Sequence, residues 1–224
     1  MGKPQGKVVI RWSPAFAYAI GLLTTDGNLS PNGRTLNFTS KDREQVLTLC
    51  RCLGIENKIG RKARGGEKVK KYYVVQFGDV LFYKFLLEIG LSPNKSKTLG
   101  ALKIPDLYFF DFLRGHFDGD GTFYSYWDPR WRSSFMFYTE FVSASKTHII
   151  WLRKEIHKHL DIKGHLTGDG RKITVQLKYA KAESLKLLEH MYYRRSIVGL
   201  TRKRLKIKKA LGILGGKNPL ARVL

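Results

Sequence analysis

Residues 13–27, SPAFAYAIGLLTTDG, and residues 105–121, PDLYFFDFLRGHFDGDG, decide how this chain folds. Each reads as an apolar helix ending in Asp-Gly, and the two endings lie 94 residues apart, close to half of the 224-residue length. Ser13-Pro14 supplies an N-cap and a first-turn proline. Phe16, Ala19, Ile20 and Leu23 recur at helical spacing as a core stripe. Gly21 and Thr25, one turn apart, leave a face nearly bare of side chains, and Gly115 and Gly119 hold the corresponding places in the second segment. Small residues four apart let two helix backbones approach closely. Gly27 and Gly121 are read as the glycines that end each helix.

The resemblance between the halves continues outward. After Gly27 come a turn (Asn28 to Arg34) and the alternating run TLNFTS, and then Ser40-Lys41-Asp42 opens the helix REQVLTLCRCLG. After Gly121 come TFYSYW, a turn at Asp128-Pro129 and SSFMFYTEFVSAS, and then Ser145 opens HIIWLRKEIHKHL. Each half goes on with a basic, glycine-broken hairpin, Lys58 to Phe77 and His165 to Leu177. Each closes with an apolar helix, DVLFYKFLLEIG and KAESLKLLEHMYY. The order is helix, strand, strand, helix, strand, strand, helix, twice, with an insertion in the second half. The fold class is α+β: the unit αββαββα written twice. The expected divisions are residues 11–91 and 106–212 for the repeats, a polar linker over 92–105, and a tail over 213–224, with a basic helix at Thr201 to Leu211.

Lysine and arginine number 41 against 18 aspartates and glutamates, a net charge of +23. A domain so charged repels itself, and nucleic acid is the partner that uses such a field. The longest apolar run, Ala15 to Leu23, is about half a membrane span. MGKPQGKVVIRW lacks the apolar stretch of a secretory signal. The expectation is a monomer in an intracellular, reducing compartment (cytoplasm, nucleoid or organelle matrix), with no membrane and no obligate protein partner. Cys50 and Cys52 neither frame a disulfide scaffold nor fill a zinc site. The six histidines form no paired ligand set, and the Asp118-Gly119-Asp120-Gly121 run fails the calcium-loop pattern at Phe123 and Pro129.

An acidic residue at a helix C-terminus meets carbonyls and a dipole that are already negative. Asp26 and Asp120 both stand there, so a pair of such ends calls for a cation. Carboxylate and carbonyl oxygens suit Mg²⁺, and in a basic, phosphate-binding chain this combination points to metal-assisted phosphodiester hydrolysis.

The segments Ala19 to Gly27 and Leu113 to Gly121 resemble the LAGLIDADG motif. With the repeat order and the KSKT segment at Lys95 to Thr98, the chain resembles a single-chain, two-repeat LAGLIDADG homing endonuclease from about Ser13 to Leu211. Thr24 and Thr25 depart from the motif in the first half, and Arg114 and His116 in the second; the last acid of each is kept. The resemblance implies motif helices packed at the pseudo-twofold and antiparallel sheets forming a DNA-binding saddle. It implies Asp26 and Asp120 as catalytic metal ligands, with Thr25 and Gly119 in the metal set. Mg²⁺ is the implied cofactor, with Mn²⁺ or Ca²⁺ as substitutes for binding. Cuts on both strands of a double-stranded DNA target leave short 3′ overhangs. Family members place a basic residue near each cleavage site; Lys95, with Lys97 as the second choice, and Lys203 are the candidates.

Side-chain alternation assigns Thr35, Asn37 and Thr39 to the DNA face, with Leu36 and Phe38 beneath. Lys68, Lys70, Tyr72 and Gln76 are read as outward in the first-half hairpin, with Tyr73, Val75 and Phe77 inward. Asn28, Ser30, Arg34, Lys62 and Arg64 join them. In the second half the DNA-binding candidates are Tyr124, Tyr126, Arg132, Arg171, Thr174, Gln176 and Lys178. Two other functions share these features: a maturase-like RNA splicing cofactor, acting on its own intron RNA, and a non-cleaving DNA-binding protein. Retention of both motif acids favours cleavage over simple binding, and since some maturases also keep them, nuclease and maturase activities can coexist.

Overall fold

The structure, a computed structural model, describes residues 6–63, 65, 68–131, 133–168, 174–215, 220 and 224. Arg64, Arg132 and Arg171, assigned above to DNA binding, lie outside the described residues. The elements run α1 (Pro14–Asp26), β1 (Gly27–Leu29), β2 (Thr35–Ser40), α2 (Arg43–Leu53), β3 (Gly60–Lys62), β4 (Tyr72–Gly78) and α3 (Val80–Glu88). After a short 3-10 turn at Asp106–Tyr108 come α4 (Phe109–Asp120), β5 (Thr122–Trp127), β6 (Phe135–Ser143), α5 (Lys146–Leu160), β7 (His165–Gly168), β8 (Val175–Tyr179), α6 (Lys181–Met191) and α7 (Thr201–Ile213). Helix–strand–strand–helix–strand–strand–helix is thus written twice, with α7 added. Both four-stranded sheets are antiparallel and share one topology, β1-β2-β4-β3 and β5-β6-β8-β7.

The chain divides into two compact units. One gathers the described residues up to Lys95 with Leu102–Gly119; the other gathers Ser96–Ala101 with the residues from Asp120 onward. The units do not follow the repeats, because α4 packs with the first. Within the residues expected as a polar linker, Lys95, Leu99 and Leu102 are buried, while Asn94, Ser96, Lys97, Thr98, Ala101, Lys103 and Pro105 are exposed. Lys103 N–H donates to the Ile89 carbonyl, and the Ser145 hydroxyl donates to the Leu99 carbonyl.

In the first unit, Leu29, Leu36, Phe38, Val75 and Phe77 form the buried face of the sheet, under α1, α2 and α3. The Asp79 carboxylate caps α3 through Phe82 N–H and also accepts from the N–H groups of Lys7 and Val8, which ties the entering chain to the sheet. Ser13 caps α1 through Phe16 N–H, with Pro14 in the first turn. Helix α1 carries no mere stripe: every residue from Phe16 to Thr24 is buried, as expected of a helix apolar on all sides.

Burial on that scale depends on α4. A Cβ at Gly21 would stand 2.1 Å from the Phe112 carbonyl oxygen, and one at Gly115 would stand 2.1 Å from that of Tyr18. The backbones therefore touch where the sequence left both faces bare. Arg114, fully buried beside this contact, is neutralised by Asp111 at 2.6 Å, one turn back on α4, and lies over the Tyr18 ring. The Tyr18 hydroxyl donates to Asp118 Oδ2 at 2.7 Å. This polar knot specifies the pairing of the two helices more than it stabilises them, since buried ion pairs roughly cancel their own desolvation.

In the second unit, Phe123, Phe135, Phe137, Phe141, Leu177 and Tyr179 form the buried sheet face, with α5, α6 and α7 packed on its strands. Ser145 caps α5, and Asp161 ends it in the left-handed conformation at φ 49°. The final helix extends two residues past the expected Leu211, to Ile213.

Candidate active site and nucleic-acid interface

Asp26 is the last residue of α1 and Asp120 the last of α4, and neither helix has a basic residue in its last turn. Asp26 is half-buried and Asp120 exposed. Gly27 does not act as the expected left-handed cap. Its backbone is extended, φ −79° and ψ 145°, and it is the first residue of β1. Glycine is needed there for space, because a Cβ would lie 2.5 Å from the Leu23 carbonyl oxygen. Helix passes straight into strand, so the acid stands at the joint. Asn28, assigned to a turn from the sequence, is consequently in β1, paired with Asn37.

Two lysines complete the pattern. Lys95 Nζ donates to the Gly27 carbonyl, and Lys203 Nζ donates to the Gly121 carbonyl at 2.7 Å. Both side chains are buried, at 7% and 6% exposure, where lysine is found almost only with partners. Each half thus sets an acid at a helix end, a glycine after it, and a buried ammonium on that glycine's carbonyl. Lys95 comes from the loop after α3 and Lys203 from α7, so unlike elements deliver like groups. Lys97 is exposed.

The residues before the acids also meet. A Cβ at Gly119 would lie 1.9 Å from Thr25 Oγ1. The Thr25 hydroxyl donates to the Leu22 carbonyl at 2.9 Å, and the main-chain oxygens of Thr25 and Gly119 belong to the last turns of their helices, where carbonyls lack a partner within the helix. Each helix end by itself offers a carboxylate and carbonyl oxygens, the ligand types that a hard divalent cation takes.

On the first sheet, Leu36 and Phe38 face inward, and Thr35, Asn37 and Thr39 lie half-exposed on the other face. Val75 and Phe77 are buried and Gln76 exposed, while Tyr73 is only half-buried and has the Arg61 guanidinium over its ring at 4.9 Å. Lys68 and Lys70 are exposed but lie before β4, which opens only at Tyr72. The alternation predicted for them therefore does not apply: without ladder partners, no pleat directs their side chains. Tyr72 lies under Lys41, Lys62 is exposed in β3, and Arg34 is exposed in the β1–β2 turn. The Ser30 carbonyl accepts from the Tyr83 hydroxyl.

On the second sheet, Tyr124 and Tyr126 both stack on Tyr138, with ring centroids 5.2 and 6.2 Å apart. Burial, with Glu140 and Tyr126 beside it, pushes the Tyr124 phenol up. Lys178 pairs with Glu140 at 3.7 Å, and Gln176 bonds to Thr167 at 3.2 Å. Thr174 precedes β8 and, with His165, Leu166, Thr167, Gly168, Gln176 and Lys178, lines a cavity of about 450 Å³. His165, Thr167, Tyr138 and Glu140 stand beside these candidates and are not among the residues picked out from the sequence. The period-2 pattern of SSFMFYTEFVSAS places Tyr138 and Glu140 on the face opposite Phe137, Thr139 and Phe141, although Glu140 is itself buried beside Lys178.

Burial pushes the Cys50 thiol up and the Cys52 thiol up to about 11. His116 is buried against Phe112. No helix among the described residues is long and apolar enough to cross a membrane.

No protein-family model matches the sequence, and no curated protein does. Solved structures do match. I-SmaMI bound to an uncleaved DNA target in the presence of calcium ions superposes with a TM-score of 0.58 at 14% identity, covering 94% of this chain and 94% of that one. The LAGLIDADG homing endonuclease I-LtrWI bound to target DNA gives 0.57 at 12%, covering 92% of each chain. The N-terminal LAGLIDADG domain of DUF199/WhiA gives 0.53 at 16%, covering 87% and 89%.

This chain has the LAGLIDADG fold.

The two-repeat LAGLIDADG arrangement accounts for the duplicated element order and the shared sheet topology. It also accounts for the glycine-faced contact of α1 and α4.

Proposed function

We propose that this LAGLIDADG chain is a site-specific endonuclease that hydrolyses both strands of double-stranded DNA. The observation that carries the reading is the repeated set of helix-end acid, glycine and buried lysine: Asp26, Gly27 and Lys95, then Asp120, Gly121 and Lys203. A DNA-binding protein needs no such set, and the fold's nucleases bound to DNA targets are among its structural neighbours.

Asp26 and Asp120 hold the divalent ions through their carboxylates, aided by the main-chain oxygens of Thr25 and Gly119. When bound, ions such as Mg²⁺ polarise the scissile phosphate and lower the pKa of water. Lys95 and Lys203 fix the main chain just after each acid and place positive charge where the phosphate gains negative charge. The sheet faces carry the duplex, and the +23 charge supplies the sequence-independent affinity. Short 3′ overhangs, action as a monomer and a role in intron homing belong to the same proposal. Ca²⁺ supports binding, and Mn²⁺ replaces Mg²⁺.

The test is cleavage of a randomised duplex library with Mg²⁺. Recovery of one cut site supports the reading. Specific binding with no cut at any site would favour the maturase-like or non-cleaving alternative. With a cut site in hand, Lys203→Met is expected to slow cutting of one strand about 10²-fold, and Lys95→Met that of the other. Supercoiled plasmid would then accumulate as nicked circles. Affinity should fall about 10³-fold or more between 50 and 200 mM salt if six or more phosphates are contacted, as titration by fluorescence anisotropy would show.

A further inference from the structure

The first sheet carries a run of side-chain amides in one register row. Asn28 of β1 pairs with Asn37 of β2, and Asn37 pairs with Gln76 of β4. Asn28 and Gln76 are exposed and Asn37 is half-exposed, all three on the face opposite Leu29, Leu36, Phe38, Val75 and Phe77. Other amides in the same unit are in use. Asn32 bonds Thr35, Gln45 donates to the Asp118 carbonyl, and Asn57 donates to the main-chain oxygen of Gln76 and so braces the row from behind. Among the described residues, the three carboxamides of the row have no side-chain partner.

The same row in the second sheet is chemically different. The residue after the motif glycine is Thr122, which pairs with Glu140; Glu140 pairs with Lys178, and Lys178 with His165. Glu140 and Lys178 are joined at 3.7 Å. One row offers donor–acceptor pairs to an outside partner, whereas the other is closed on itself by an ion pair.

A carboxamide that donates and accepts at once matches adenine, whose major-groove edge pairs an acceptor N7 with a donor N6. Strands lie about 4.8 Å apart, so three neighbours span about 10 Å. That is about three base-pair steps of 3.4 Å. Asn28 follows Asp26 by two residues, at most about 7 Å of chain. We infer that the Asn28–Asn37–Gln76 row reads a short adenine-containing stretch near the phosphate served by Asp26, and that the target is asymmetric because the matching row of the second sheet does not. The inference rests on the endonuclease reading above.

The test is selection of the full chain on a randomised duplex pool in Ca²⁺, followed by sequencing of the bound fraction. Wild type should enrich a site with adenines at two or three close positions in one half only. Asn37→Ser should weaken the preference at one of these positions about 10-fold, and Gln76→Arg should move another from adenine to guanine. Both positions are exposed or half-exposed, so melting temperatures should stay within about 2 °C of wild type. An enriched site whose base preferences are unchanged by both variants would overturn the inference and leave the endonuclease reading standing. Enrichment of no sequence at all would overturn both.

Discussion

Asp26→Asn and Asp120→Asn are each expected to lower double-strand cleavage by about 10³-fold or more while leaving DNA affinity intact or slightly raised. The cause is electrostatic. Each carboxylate stands at the negative end of its helix, and the last turn of that helix holds no basic residue, so a charge is placed where the helix dipole disfavours it. An amide keeps the size and loses the charge. It relieves the helix end and, on the endonuclease reading proposed above, removes a negative group from the surface that meets phosphates and leaves the divalent ion without an anionic ligand. Plasmid linearisation in Mg²⁺, read beside anisotropy binding in Ca²⁺, separates the two effects. If both variants linearise plasmid at the wild-type rate, the acids are not the metal ligands.

Gly115→Leu is expected to cost about 3–5 kcal/mol, a fall in melting temperature of about 10 °C or more. Its first added carbon would meet the Tyr18 main-chain oxygen at 2.1 Å, and backbone cannot rotate away as a side chain does. Gly21→Leu meets the Phe112 oxygen at the same distance and should behave alike. Gly212→Ala in α7 is the control: nothing lies within 4 Å of the added carbon, so the melt should hold or rise slightly. Calorimetry or circular dichroism reads all three. Equal melts for Gly115→Leu and Gly212→Ala would mean that α1 and α4 do not pack backbone to backbone.

Much of the architecture was legible before any coordinates. Ser13-Pro14 and Ser145 mark helix starts through local hydrogen bonding and backbone preference, and the Asp-Gly endings mark helix ends, although at Gly27 the glycine provides space rather than a left-handed turn. The alternation in TLNFTS separates Leu36 and Phe38 from Thr35, Asn37 and Thr39 because the pleat has a period of two. Where ladder pairing ends, this logic ends too. Lys68 and Lys70 kept the alternation on paper but lie before β4, and Asn28 passed for a turn residue because a three-residue strand has too little pattern to detect.

From its residues alone, this protein is a basic, duplicated α+β chain with two acid-ended helices made to touch along glycine. Those properties depend on neighbours in sequence, on composition and on the internal repeat. Only tertiary structure gives Lys95 and Lys97 different surroundings: the folded loop buries Lys95 against the Gly27 carbonyl and leaves Lys97 exposed, although the two lie two residues apart in the same basic segment. It likewise brings Lys203 to Gly121 across 82 residues and aligns Asn28, Asn37 and Gln76 in one row. Contacts between distant segments depend on how helices and strands dock. Docking is decided by the summed packing of the core, which no short stretch of sequence encodes.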